Sequence, residues 1–139
     1  MTIQEIQAEI VEEFSMFDDW LQRYEYIIEL GKTLPIIDEK HKTDDNIIVG
    51  CQSKVWLFAQ EKEDKIYYTA DSDAILTKGI IAILIRVFSK QKAKDILASS
   101  TDFINDIGLK EHLSPTRANG LLAMIKQLKL YALAFESKK

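Results

Sequence analysis

Residues 55–88 run VWLFAQ EKEDK IYYTA DSDA ILTKGIIAILIRVF, and the change of period inside them decides the fold. Val55-Trp56-Leu57-Phe58-Ala59-Gln60 and Ile66-Tyr67-Tyr68-Thr69-Ala70 are rich in branched and aromatic residues, which suit a pleated strand. The charged segment 61–65 between them fits a hairpin connection. In the first stretch Val55, Leu57 and Ala59 face one way, Trp56 and Phe58 the other. Both sets are apolar, so this strand is expected to be covered on both faces. Past Asp71 and Ser72, read as capping residues, the period becomes helical over 74–88. That helix is apolar almost all the way round and so belongs at the centre of the domain. Gly79 within it costs about 1 kcal/mol of helix propensity, which close packing of another backbone would explain.

Outward in both directions the chain is helical. Thr2 and Glu5 have capping-box spacing, and Ile3, Ile6, Ile10, Phe14 and Phe17 then recur every three or four residues. A second helix is predicted from Asp18 or Asp19 to Leu30, stopped by Gly31 with Pro35 beyond, burying Trp20, Tyr24, Ile27 and Ile28. Residues 36–46 form a polar loop, and 46–49 are read as a short third strand. After the central helix, a shorter one is predicted over 90–98, and Asp102 caps another ending near Gly108. Ser114-Pro115 gives an N-cap with proline at the first helical position of the last helix, which buries Leu121, Ile125, Leu128, Ala132 and Phe135. The order predicts one α+β domain over residues 1–139: a small antiparallel β-sheet packed against several helices.

Composition narrows the function. The 139 residues are 47% hydrophobic and 29% charged, the balance of a globular domain rather than a disordered chain. A net charge of −4 without any Lys/Arg run offers no basic face for displacing counterions, so no nucleic acid is expected as partner. The longest apolar run, 80–85, stops at Arg86, well short of the roughly 20 residues that span a bilayer. Glu5, Glu9, Glu12 and Glu13, with no basic start, argue against a secretory signal, and a reduced, cytoplasmic protein is the expectation. One cysteine forms no internal disulfide and cannot alone hold zinc or an iron–sulfur cluster, so no metal site is predicted.

That cysteine, Cys51, follows Gly50 and precedes Gln52 and Ser53, on a turn entering the strand at Val55. A thiol there can be presented to a partner; the plainer reading is a small buried hydrophobe. Lys54 is close enough in sequence to favour the thiolate. The histidines, His41 and His112, have no pattern that assigns either to Cys51 as a base, so both are read as surface or capping residues. Asp44–Asp45 and Asp71–Asp73 are read as loop residues and helix caps rather than catalytic pairs. A stand-alone thiol enzyme is therefore disfavoured. An interaction domain with an incidental cysteine stays open as the alternative.

Gly50-Cys51-Gln52-Ser53-Lys54-Val55-Trp56-Leu57 resembles the cysteine loop of the SufE family of sulfur-acceptor proteins, which serve cysteine desulfurases. Tyr26-Ile27-Ile28-Glu29-Leu30-Gly31 with Leu34-Pro35 is similar to that family's second helix and its exit. Asp71-Ser72-Asp73-Ala74 with Lys78-Gly79-Ile80 is similar to its central helix, and Leu113-Ser114-Pro115-Thr116-Arg117 with Gly120-Leu121 to the start of its last. The resemblance implies an α+β fold, SufE-like and similar to the U-type iron–sulfur scaffold proteins. It implies that Cys51 takes persulfide sulfur from a SufS-like or CsdA-like desulfurase, stimulates that enzyme, and passes the sulfur to an iron–sulfur scaffold. The pyridoxal phosphate belongs to the desulfurase, so this chain needs no cofactor. Asp73 and Arg117, and more weakly Lys54, match positions near the partner surface, and Arg117 could pair with Asp73. A homodimer is compatible with the family. Gly50, Gln52 and Ser53 are expected to support the loop, the last two through backbone hydrogen bonds. Cys51 is expected to rest against Trp56 or the Gly79 region and to swing out on docking.

Overall fold

The computed structural model describes residues 1–138. β1 (Val55–Lys62) and β2 (Lys65–Ser72) form an antiparallel hairpin, in register from Val55–Ser72 to Lys62–Lys65. The connection is only Glu63 and Asp64, at φ 51° and 71°. Two consecutive left-handed residues make the turn whose twist matches that of paired strands, so pairing runs further than the charged composition of 61–65 predicts. Val55, Leu57 and Ala59 are buried, as the alternation requires.

The sheet has two strands, and short bridges finish its edges. Residues 46–49 are not a third strand: Asp44–Asn46 is a 3₁₀ turn, and only Ile47 bridges to Trp56. Ile48 N–H donates to the Val55 carbonyl at 2.8 Å. On the other edge, alternate β2 amides each find an acceptor: Ile66 on the Gln91 carbonyl (2.9 Å), Tyr68 on Ser89 Oγ (3.0 Å), Ala70 on the Pro35 carbonyl (3.0 Å). The outer face of β1 is covered by polar side chains of the 36–48 segment rather than by an apolar layer. His41 stacks on Phe58 at 3.7 Å, and the Lys42 ammonium sits 4.6 Å from the Trp56 ring centroid.

α3 (Ile75–Phe88) is the hub, buried along most of its length, with Lys78 and Arg86 among the residues that reach the surface. Its N-cap is Ala74, without a side-chain cap. Asp71 and Ser72 end β2 instead, because strand pairing continues through Ser72. Asp71 meets Lys42 at 3.0 Å and Lys78 at 3.4 Å. Burial pushes its carboxyl up, but the Lys42 and Ser72 hydrogen bonds and the nearby ammonium charges outweigh this and hold it below the usual range.

α1 (Ile3–Ser15) carries the complete Thr2/Glu5 capping box, and Asp19 caps α2 (Trp20–Leu30) through the Gln22 N–H. Of the stripe expected on α2, Ile27 is fully buried, while Trp20, Tyr24 and Ile28 are partly covered. α2 crosses α3 backbone to backbone, as Gly79 predicts: a Cβ there would lie 2.1 Å from the Ile27 carbonyl oxygen. Arg86 ties α3 to α1 through Glu9 (2.6 Å) and Glu13 (2.5 Å), and Tyr26 Oη also donates to Glu13.

The helix expected over 90–98 is shorter: Lys90 has φ 66° and α4 covers Ala93–Ala98. The Lys90 N–H donates to the Ile66 carbonyl, so this residue serves the sheet edge rather than a helix. α5 (Phe103–Asp106) stops before Gly108, where φ is 76°, and α6 (Leu109–His112), not foreseen, follows. Asp102 provides no side-chain cap. α7 (Pro115–Ser137) starts at the Ser114 cap and buries Leu121, Met124, Leu128 and Ala132, with Ile125 and Phe135 at the margin.

Candidate functional site

Cys51 lies where the fold turns from the polar 36–48 segment into β1. Gly50, at φ 103°, makes the turn; a Cβ there would be strained and 3.3 Å from Ala123 of α7. The chain is anchored on both sides of this loop. Before it, Ile48 is bonded to Val55. After it, the Lys54 N–H donates to Asp73 Oδ1 (3.0 Å), the Asp73 N–H to the Lys54 carbonyl (3.2 Å), and Ser72 Oγ to that same carbonyl (2.9 Å).

Between the anchors, Cys51 is half-buried against α7, its thiol donating to the Gly120 carbonyl at 3.6 Å. Gly120 leaves the room: a Cβ on it would stand 3.5 Å from Cys51 Sγ. Around the sulfur is a cleft of about 250 Å³, lined by loop residues, by Ala74, Thr77 and Ile80 of the central-helix region, and by Thr116, Arg117, Gly120 and Met124 of α7. Burial pushes the Cys51 thiol up from its ordinary value, which keeps it protonated near neutral pH. The cause is desolvation, so Lys54, exposed, does not offset it.

The sulfur therefore rests on Gly120, with Ile80, next to Gly79, in the cleft wall; Trp56 points to the other sheet face under Lys42. Ser53 Oγ lies 3.0 Å from Thr77 Oγ1, a side-chain partner rather than the backbone one expected. Gln52 is exposed at the cleft rim. Arg117 is exposed on the first turn of α7 and also lines the cleft; among the described residues no ion pair joins it to Asp73. Both histidines are engaged elsewhere. His41 stacks on Phe58, and His112 stacks on Trp20 at 4.3 Å while its Nδ1 lies 3.0 Å from the Gly108 carbonyl. Among the described residues, no group of three or more His, Cys, Asp or Glu could hold a metal.

Gly120, Met124 and Thr77 belong to the cleft but were not singled out for it from sequence. The available signals were a glycine inside a long helix, which costs about 1 kcal/mol, and one hydroxyl in an apolar helix.

A half-buried thiol in a small cleft, with neither histidine beside it among the described residues, can exchange with another sulfur if a partner brings one. The family model for the SufE Fe–S metabolism associated domain matches residues 8–132. A SufE-like protein of Rhizobium meliloti (strain 1021) is 40% identical over 126 residues, covering 87% of this chain and 90% of that protein. SufE-like protein 1, chloroplastic/mitochondrial, of Arabidopsis thaliana is 40% identical over 131 residues, 94% of this chain but 35% of that longer protein. The solution structure of a hypothetical protein from Thermus thermophilus superposes with a TM-score of 0.77 at 18% identity, over 93% of this chain and 94% of that one. That last likeness establishes the shared fold.

Proposed function

The chain belongs to the SufE family, associated with Fe–S metabolism, and on that premise we propose that Cys51 accepts persulfide sulfur from a SufS-like cysteine desulfurase. The observation that carries this reading is the cysteine on an anchored loop, half-buried over a cleft that has space beyond its sulfur.

Transfer follows the rules of thiol–disulfide exchange. Cys51 loses its proton to solvent or to a base on the partner. The thiolate then attacks the terminal sulfur of the donor persulfide. The donor's S–S bond breaks, its electron pair stays on the donor cysteine, and Cys51 leaves as a persulfide with no net oxidation. Attack on the inner sulfur would instead join the two proteins by a disulfide. One cysteine in the chain means that no second thiol here can resolve the persulfide and discharge it. Draining the donor in this way stimulates the desulfurase, and an iron–sulfur scaffold takes the sulfur next. The role is carrier and activator rather than enzyme, and the pyridoxal phosphate stays with the partner.

Docking uses the rim of the cleft. Val49 is 89% exposed and Ile75 69% exposed, one just before the loop and one at the start of α3. Arg117, exposed and without an ion pair among the described residues, supplies a charge for the partner. Asp73 already holds the Lys54 backbone, so it sets the loop's exit as well as facing outward. A lone thiol meant to carry sulfur belongs in a reducing compartment, here assigned to the cytoplasm.

Incubation with a SufS-like desulfurase and free cysteine, followed by non-reducing intact mass measurement, tests the reading. The expected result is an added sulfur mapped to Cys51, removed by reductant and absent from folded Cys51→Ser. No adduct with an active desulfurase of either the SufS-like or the CsdA-like branch would overturn it.

A further inference from the structure

Residues 49–53 are tied to the body of the protein far more thinly than their flanks. Ile48 and Lys54 are fixed by backbone hydrogen bonds. The polar contacts between them are the weak S–H bond of Cys51 to the Gly120 carbonyl and the pair Ser53 Oγ–Thr77 Oγ1. Thr77 is 7% exposed and is the hydroxyl-bearing residue of the hub helix, whose neighbouring positions Leu76, Ile80 and Ile81 are buried; it lines the cleft beside Cys51. Packing alone would be served equally by valine, which has the same shape without the oxygen. The hydroxyl has one described partner, and that partner sits two residues from the reactive sulfur.

We propose that Thr77 is a positioning residue: through Ser53 it holds the Cys51 loop down in the cleft and sets how often the sulfur is presented. This rests on Cys51 being the sulfur carrier, and names the contact that controls its exposure. The bond is strong enough to bias the loop and weak enough for a docking partner to break. When the loop lifts, Ser53 reaches water and Thr77 opens onto the cleft, so neither hydroxyl is stranded in an apolar interior. Opening is then local, with both anchors and the core unchanged.

The test needs no desulfurase, so its failure is distinct from failure of sulfur acceptance. Iodoacetamide alkylation of Cys51 in the free full chain is followed at fixed pH and as a pH profile, with the thermal midpoint measured in parallel. Thr77→Val is expected to alkylate about three- to tenfold faster, matching the loss of one hydrogen bond, with an unchanged or higher midpoint. Thr77→Ser should restore the slow rate. Ser53→Ala should match Thr77→Val, and the double variant should be no faster than either, as for two members of one interaction. Equal rates in wild type and Thr77→Val, or rates that multiply in the double variant, would overturn the assignment.

Discussion

Two glycines mark two contacts of opposite kind. At Gly79, α2 and α3 touch backbone to backbone, and a single added carbon would land 2.1 Å from the Ile27 carbonyl oxygen. At Gly120, α7 meets the Cys51 loop with ordinary van der Waals room, 3.5 Å from a built Cβ to the sulfur. One contact has no slack because it joins two core helices for good. The other would take an added carbon in ordinary contact, because it faces a side chain and a loop rather than a helix backbone. The same residue type meets a backbone in one place and a side chain in the other, and only the neighbours tell which.

That contrast can be broken by experiment. Gly79→Ala should destabilise the fold by about 3 kcal/mol or more in denaturant titration, since neither backbone can yield cheaply. Equal stability to wild type would mean the helices separate freely. Gly120→Ala should act with the opposite sign: the helix gains propensity and nothing clashes, so a stabilisation of about 0.5–1 kcal/mol is expected in the same titration. A loss comparable to that of Gly79→Ala would show the site contact to be as tight as the core one. The smallest effect concerns pH. The folded Cys51 thiol titrates above its unfolded value of about 8.5, so the folded state holds this proton more tightly. Its stabilising contribution is complete below that unfolded value and is lost as pH rises through the folded one. Stability measured from neutral to alkaline pH should therefore fall slightly more for wild type than for Cys51→Ser.

Much of the scaffold was legible from residue order. The 3.6 period gave α1, α2, α3 and α7, and the branched and aromatic runs gave the hairpin. Gly79 announced its close approach because a mid-helix glycine is costly unless packing requires it. The 36–46 loop was legible as polar but its contacts were not, since the stacking of His41 on Phe58 and the placing of the Lys42 ammonium over Trp56 depend on tertiary approach, with no periodic signal. Asp71 and Ser72 have the composition of caps, yet long-range pairing with Trp56 and Val55 keeps them in the strand. The candidate site divides the same way. Cys51 and its turn were visible, but its resting partner Gly120 lies 69 residues away and the Ser53–Thr77 bond spans 24, separations no local pattern encodes.

The finished edges of the sheet bear on how this chain survives its own synthesis. A bare two-stranded ribbon offers its free amides to any passing strand, the usual start of misassembly. Here the acceptors for β2 come from Pro35, made before the hairpin, and from Ser89 and Gln91, made after it. A nascent chain that has just completed Ser72 therefore carries an edge closed at Ala70 and open at Ile66 and Tyr68. It stays adhesive there until the length of α3 has also emerged. Crowding or slow elongation over residues 73–91 would fall in that exposed interval, and aggregation of truncated chains should be worst when they end within it.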